Sequence, residues 1–249
     1  MRIESRYWDD TAAEWGRDHP DSLWREHSDR VYRALLSSWL GDRSPGRILK
    51  TDLFDEAVAT GLLGYLADSS RQVTGIDLSR TAAKAAHRNT GSQMVTCADV
   101  RALPFPDGTF DEIFSGSTLD HFRTREELVA SLRELYRVLR PGGELLLTLD
   151  NLANPVVAVR NILPFRLVNR AGLVPYFVGH SCGPWRLRRL LGRAGFGPVA
   201  MTASVHCPRV LAVKFARLLQ RRAGPRTQDR FLRWLMKCEV MARWPTRFV

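Results

Sequence analysis

This chain lacks several features that would assign it a class at once. Its four cysteines, Cys97, Cys182, Cys207 and Cys238, are far apart and form no Cys-x-x-Cys pair. Neither a disulfide framework nor a cysteine metal site is expected, and thiols in a reducing cytosol fit better. No basic start followed by an apolar run opens the chain, so no secretory leader is expected. No apolar run approaches the ~20 residues needed to span a bilayer. The histidines and acids show no metal-ligand spacing, and Phe-Ser-Gly-Ser at 114–117 lacks the G-x-S-x-G elbow of serine hydrolases. Repeats and low-complexity linkers are also missing.

Acidic residues are scarce in one part only. Residues 1–150 hold 19 Lys/Arg and 24 Asp/Glu, whereas residues 151–249 hold 18 Lys/Arg and 2 Asp/Glu. The formal net charge of +11 is therefore a property of the C-terminal part. A mildly acidic half joined to a strongly basic one implies a separate contact with something anionic. The 249 residues, 45% hydrophobic and 25% charged, suit one large domain, or one domain with an appendage, and argue against a disordered chain.

The pattern that is present is an alternation. Strands are predicted at Arg47–Thr51, Gln72–Ile76, Gln93–Cys97, Phe110–Ser115 and Glu144–Leu149. Helices are predicted near 56–67, 79–89 and 124–139, the last opened by a capping box at Thr124-Arg-Glu-Glu127. Leu128, Leu132, Leu135 and Leu139 lie on one stripe of that helix. Strands alternating with helices predict right-handed βαβ units and a mainly parallel sheet. Before it, Trp24, Val31, Leu35 and Trp39 fit a helix face. After it, residues 151–183 break the rhythm with Pro155, Pro164 and Pro175, and read as an insertion able to cover the strand ends. A helix at Trp185–Gly195 and a sixth strand at Pro198–Ser204 follow. Two basic amphipathic helices close the chain, around 209–222 and 227–243. Leu211, Phe215 and Leu218 oppose Lys214, Arg217 and Arg221 in the first; Phe231, Leu235 and Cys238 oppose Arg230, Arg233 and Lys237 in the second. The expected division is a helical cap (1–44), an α/β domain (45–204, insertion at 151–183) and a basic helical tail (205–249).

The stretch VTGIDLS at 73–79, CADV at 97–100, ALPFPDGTFD at 102–111, FSGS at 114–117 and LRELYRVLRPGGELLLTLD at 132–150 occur in this order. Together they resemble the class I S-adenosylmethionine-dependent methyltransferases, in particular the small-molecule, type 11-like group. The resemblance is good over about 45–150 and loose over 1–44. It implies a Rossmann-like methyltransferase fold, a mainly parallel sheet with helices on both faces, with S-adenosylmethionine as cofactor. It makes Asp77 the acceptor for the ribose hydroxyls, with Leu78 beside it. A carboxylate can indeed accept two hydrogen bonds from a vicinal diol. Asp99 would face the adenine amino group and Val100 the ring. Ser115 and Ser117 would lie near the methionyl part. Tyr7, Trp8 and Trp15 resemble N-terminal aromatics that close over the cofactor in some relatives; packing of the N-terminal helix is the competing role.

The first loop departs from the family pattern, acid-x-Gly-x-Gly-x-Gly. In RILKTDLFDEAVATG at 47–61, Lys50 stands where an acid is expected, and Asp52, Phe54 and Glu56 where glycines are. Gly61 and Gly64 come too late to replace them. Glycines serve there by allowing φ > 0 and close backbone approach, so this loop must take another conformation or hold its ligand further away. Asp52, Asp55 and Glu56 would repel a pyrophosphate, which argues against a dinucleotide, but would tolerate the sulfonium and ammonium of S-adenosylmethionine. Thr51, Asp52 and Phe54 are therefore candidates to hold the methionyl part. Lys50 would pair either with the methionyl carboxylate or with a loop acid. Asp55 and Glu56 would alternatively occupy a helix's first turn.

Methyl transfer needs positioning and often a base. His121 is the first candidate, with neighbouring Asp120, because histidine titrates near neutrality. His27 would line the pocket from the N-terminal helix; Asp150, Asn151 and, more weakly, His180 are further candidates. The acceptor is expected to be a small molecule, lipid-like or a natural-product intermediate. The alternatives are a repurposed fold that catalyses a cyclisation, elimination or rearrangement without consuming cofactor, and a membrane-associated binding module. The tail either packs its apolar faces on the sheet and solvates its arginines, or touches anionic membrane. Nucleic acid is less favoured because no RNA-binding module is recognisable. The expected location is cytoplasmic, peripheral to the membrane if the tail binds it.

Overall fold

A computed structural model describes residues 2–18, 21–40, 46–67, 72–91, 94–170, 174, 176–179, 181–204 and 209–246. Gln93, Pro175, His180, Cys207 and the side chain of Leu211 lie outside the described residues. Helices α1 (Arg2–Asp18) and α2 (Ser22–Leu40) precede strand β1 (Arg47–Lys50). Then come α3 (Phe54–Val58), α4 (Leu63–Ala67), β2 (Gln72–Asp77), α5 (Arg80–Thr90), β3 (Val95–Cys97) and β4 (Phe110–Gly116). A short 3-10 turn at Leu119–His121 leads to α6 (Arg125–Val138) and β5 (Leu139–Thr148). Helices α7 (Pro155–Ile162), α8 (Phe165–Arg170), α9 (Pro184–Ala194), α10 (Arg209–Arg222) and α11 (Pro225–Thr246) complete the chain.

The five strands form one parallel sheet in the order β3-β2-β1-β4-β5. The order reverses between β1 and β4, and in open α/β sheets the ligand crevice opens at that point, at the carboxyl ends of the strands. Alternate strand residues feed two cores. Leu49, Ile76 and Ile113 meet Leu128, Leu132 and Leu135 of α6. Ile48, Val73 and Phe114 meet Leu35 and Leu36 of α2 and Leu63 and Leu66 of α4. Burying a leucine of this kind contributes about 1.5–3 kcal/mol, so both sheet faces are covered and only the strand ends remain for chemistry.

The predicted helix at 56–67 is two short ones. Gly61 breaks it at φ 63°, and the Glu56 carboxylate accepts the N–H groups of Leu62 and Leu63 at 2.8 and 2.9 Å. The capping box at Thr124 and Glu127 forms as predicted. Strand β5 begins earlier than predicted, at Leu139. Pro-Gly-Gly lies inside it, at a shift in register between Phe110/Leu139 and Glu112/Glu144, with Gly142 at φ 76°.

Two expectations are corrected here. Residues 198–204 form no strand, so β5 is the edge of the sheet among the described residues. Pro198 has no N–H to donate, and the Val199 carbonyl accepts from the Arg188 guanidinium at 2.6 Å. Among the described residues the tail packs on α2, not on the sheet. Ala212 and Ala216 of α10 and Phe231, Leu232 and Leu235 of α11 share a core with Leu23 and Trp24. Cap and tail are thus joined by one apolar cluster. The insertion contains two helices, α7 starting on Pro155 with Asn154 as its N-cap, and α8.

Candidate active site

A cavity of about 1130 Å³ lies over the strand ends, above the ~300–1,000 Å³ usual for small-molecule sites. Thr51, Asp52, Phe54, Asp77, Leu78, Asp99, Val100 and Ser117 line it, together with Tyr7 and His121.

The glycine-poor loop turns without the left-handed backbone. Among the described residues the positive-φ positions are Ser117 and five glycines, and none falls between 50 and 56. Carboxylates do the turning instead. Asp52 Oδ1 accepts the Phe54 N–H at 2.8 Å, and Asp77 Oδ2, from β2, accepts the Leu53 N–H at 3.0 Å. Asp77 Oδ1 also accepts the Ser79 N–H at 2.7 Å. Lys50 resolves its two options in favour of the loop acid: Nζ meets Glu56 Oε2 at 2.9 Å and also donates to the Asp52 carbonyl. Burial pushes its pKa down, but Glu56 and Asp52 outweigh this and hold the ammonium above its usual range. Glu56 is wholly buried in α3, so it is a structural ion-pair partner and not a ligand group.

The two carboxyls left on the cavity wall are perturbed. Burial pushes Asp52 up to about 8, with Asp77 and Asp55 adding to the shift against the pull of Lys50. Burial likewise raises Asp77 to about 6. This wall has surplus carboxylate: Lys50 is turned into Glu56, and Arg25 is engaged by Asp55 and stacked on Trp15 and Phe54. A cation placed here would favour the ionised carboxyls, whereas a phosphate would be repelled. The chemistry of the wall therefore fits a sulfonium–ammonium ligand such as S-adenosylmethionine.

Asp99 is not an open hydrogen-bond partner. Its carboxylate holds Arg101 through the backbone N–H and the guanidinium, at 2.8–3.0 Å. Arg101 also reaches Glu4 of α1 at 2.8 Å and Glu127 of α6. This clamp was not foreseen, though the Asp-x-Arg spacing is visible in the sequence. Ser115 is fully buried, outside the cavity lining; Thr51 Oγ1 donates to its hydroxyl at 2.8 Å and lies 2.8 Å from Thr118 Oγ1, joining the ends of β1 and β4. Ser117 faces the cavity at φ 52°, a costly region for a non-glycine residue. Its N–H donates to Thr148 Oγ1 at 3.0 Å.

A cluster of rings covers the other side. Trp8 meets His121 at 4.7 Å between centroids, and Tyr176 of the insertion lies 5.6 Å from His121 and 6.1 Å from Trp8. Tyr176 also contacts Phe54 and Trp15. Trp15 itself is buried against Ala57, Val58 and Ala82, beneath the cavity wall; of the three N-terminal aromatics only Tyr7 and Trp8 line the cavity. The Tyr7 hydroxyl accepts the Phe177 N–H at 2.8 Å. Tyr176 was missed because the broken pattern of 151–183 gives no face to read.

The catalytic candidates separate. His121 Nδ1 lies 2.8 Å from the Phe177 carbonyl. A carbonyl only accepts, so Nδ1 carries the proton and Nε2 is the basic nitrogen. Asp120 is buried behind the cavity wall, and burial with the charge of Asp150 pushes it up to about 8. Burial therefore favours its protonated form, which cannot act as a base. Asp150 and Asn151 line the mouth, and Asp150 pairs with Arg160 of α7 at 2.7 Å. His27 does not line the cavity. It is buried between Trp24 and α11, 3.5 Å from Glu239 Oε1, because its side of α2 is covered by the tail. His180 lies outside the described residues.

The fold and this carboxylate-lined crevice define a doubly wound α/β domain with its cavity at the carboxyl ends of the strands. Residues 37–147 match the methyltransferase domain family. It is 32% identical over 143 residues to a malonyl-(acyl-carrier protein) O-methyltransferase of Pseudescherichia vulneris, covering 55% of this chain and 52% of that protein. The chain thus spans about half the length of this relative. Among solved structures, a 1,6-didemethyltoxoflavin-N1-methyltransferase of Burkholderia thailandensis superposes with a TM-score of 0.58 at 18% identity, over 84% of each chain. The 4+2 cyclase SpnF superposes with a TM-score of 0.55 at 23% identity, over 86% of this chain and 76% of that one. At these identities the superpositions speak to the fold.

Proposed function

We propose that the protein transfers a methyl group from S-adenosylmethionine to an oxygen, nitrogen or carbon of a small acceptor with an apolar body. The observation that carries this reading is the joining of the carboxylate wall at Asp52 and Asp77 to the ring-lined chamber at His121 in one cavity. When bound, S-adenosylmethionine supplies an electrophilic methyl on a sulfonium. Asp77 holds the ribose hydroxyls, Val100 packs on the base, and Asp52 offers negative charge to the cationic end. Trp8, Tyr176 and Phe54 exclude water and present ring faces to positive charge. His121 Nε2 takes the proton of the acceptor, its tautomer fixed by the Phe177 carbonyl. The malonyl-(acyl-carrier protein) and toxoflavin-type substrates of the similar proteins support a small or carrier-bound acceptor.

The glycine-free first loop favours a second reading, in which the same pocket catalyses a cyclisation, elimination or rearrangement without cofactor turnover. The similarity to a cyclase supports it. The tail remains a candidate for peripheral membrane contact, since Phe215, Trp234 and Met241 are exposed among its arginines. No helix among the described residues is long and apolar enough to cross a membrane.

Isothermal titration with S-adenosylmethionine and with S-adenosylhomocysteine tests the first reading. Micromolar binding of both is expected; folded protein that binds neither overturns it. Binding with no methyl transfer to any acceptor, while the protein transforms an added substrate, decides for the second.

A further inference from the structure

Residues 151–204 contain seven arginines and no aspartate or glutamate. The same stretch carries apolar side chains that the chain leaves uncovered. Helix α7 buries none of its residues; Val156, Val159 and Ile162 are 68%, 58% and 81% exposed. Leu163 and Leu167 extend the set toward α8, which buries only Val168. Positions 156, 159 and 163 follow a helical face, with 162 adjacent. Solvent-facing apolar residues in this number and spacing mark a contact surface. Arg166 and Arg170 are exposed on α8. The bridge between Asn151 and Cys182 sets the start of α9 beside the start of the insertion. There Trp185 is 81% exposed and followed by exposed Arg186, Arg188 and Arg189.

We propose that α7, α8 and the first turn of α9 form an interfacial surface that docks on an anionic lipid bilayer. The charge complementarity is one-sided: arginines flank the apolar face and no acid opposes an anionic headgroup. Aliphatic side chains and a tryptophan beside arginines suit the boundary between headgroups and acyl chains. The tail helices are the weaker docking element, because their main apolar face is already buried against Leu23 and Trp24. Val156, Val157 and Arg160 of α7 also line the cavity, so the docked surface adjoins the mouth. The proposal does not depend on the methyl-transfer reading, since docking needs neither cofactor nor acceptor.

Cosedimentation of the full chain with vesicles of phosphatidylcholine, alone or mixed with phosphatidylglycerol, tests it. Binding to the mixed vesicles is expected, weakening with salt. The double variant Ile162→Asp/Leu167→Asp is expected to lower partitioning about tenfold or more, with an unchanged thermal melt. The comparison variant Trp234→Ser/Met241→Ser, on α11, is expected to keep it. Wild-type protein that ignores mixed vesicles overturns the proposal. So does binding lost only in the α11 variant, or a dimer in solution that Ile162→Asp/Leu167→Asp dissolves while vesicles go unbound.

Discussion

The loops after β1 and β4 meet at the same crevice, yet they turn by different means. After β4, Ser117 sits in the left-handed region, and the strain is held by its N–H bond to Thr148. After β1, no residue from 50 to 56 takes the left-handed region, and the carboxylates of Asp52, Asp77 and Glu56 accept backbone N–H groups of the loop and of the turn after α3. One loop stores its cost in the backbone, the other in buried charge. The comparison teaches that a glycine-rich turn can be replaced when side chains supply acceptors, at the expense of perturbed carboxyls on the ligand wall.

Breaking the charged loop is expected to have the largest effect. Glu56→Ala leaves Lys50 buried without its ion-pair partner and is expected to destabilise the protein by about 3–5 kcal/mol, measured by urea unfolding. His121→Ala is expected to lower kcat by about 10²–10⁴-fold, read by steady-state kinetics; a loss in KM alone would make it a packing residue. Asp77→Ala is expected to weaken S-adenosylmethionine by about 1–3 kcal/mol, read by titration calorimetry; unchanged affinity in folded protein removes the ribose assignment. Ser117→Gly sharpens the contrast from the other side. It relieves a positive-φ cost of ~1 kcal/mol and is expected to raise the melting temperature slightly.

The pH dependence follows from the same carboxyls. Asp52 and Asp77, raised to about 8 and about 6, keep protons in the folded state that the unfolded chain has released. Folded protein then binds more protons than unfolded protein, so their contribution to stability falls as pH rises from ~4 to about 8. The ligand-free melting temperature is expected to decline from about pH 5 to about pH 8.5. Affinity for S-adenosylmethionine is expected to rise over that range, as Asp52 ionises. A flat affinity profile separates Asp52 from the cationic end of the ligand.

Much of the frame was legible because it is periodic. The five strands lie within a few residues of their predicted places, and α6 starts at its capping box, since alternation and caps are local signals. Asp77 was legible as a residue of the cavity wall because it ends a strand. The interior of the site was not, because its contacts join distant segments. Nothing local reveals that Glu56 leaves the cavity to bind Lys50 and the Leu62 and Leu63 amides, or that Asp120 turns inward while His121 turns out. His27 was misplaced for the same reason. Periodicity gives a helix two sides, but not that the tail covers one of them. The missing sixth strand shows that an apolar run is not a strand when a proline and an arginine–carbonyl bond take its backbone groups.

The Arg101 clamp has a kinetic consequence. Glu127 caps α6 by accepting the Arg123 and Thr124 N–H groups at 3.0 Å, and it also holds Arg101. Arg101 in turn holds Asp99 on the cavity wall and Glu4 on α1. Lifting α1 from the crevice therefore means separating Arg101 from Glu4, an ion pair that bulk salt can reach. Residence time, more than affinity, should carry that signature: stopped-flow release of bound nucleoside is expected to quicken with ionic strength, and Glu4→Gln to quicken it while removing most of the salt dependence.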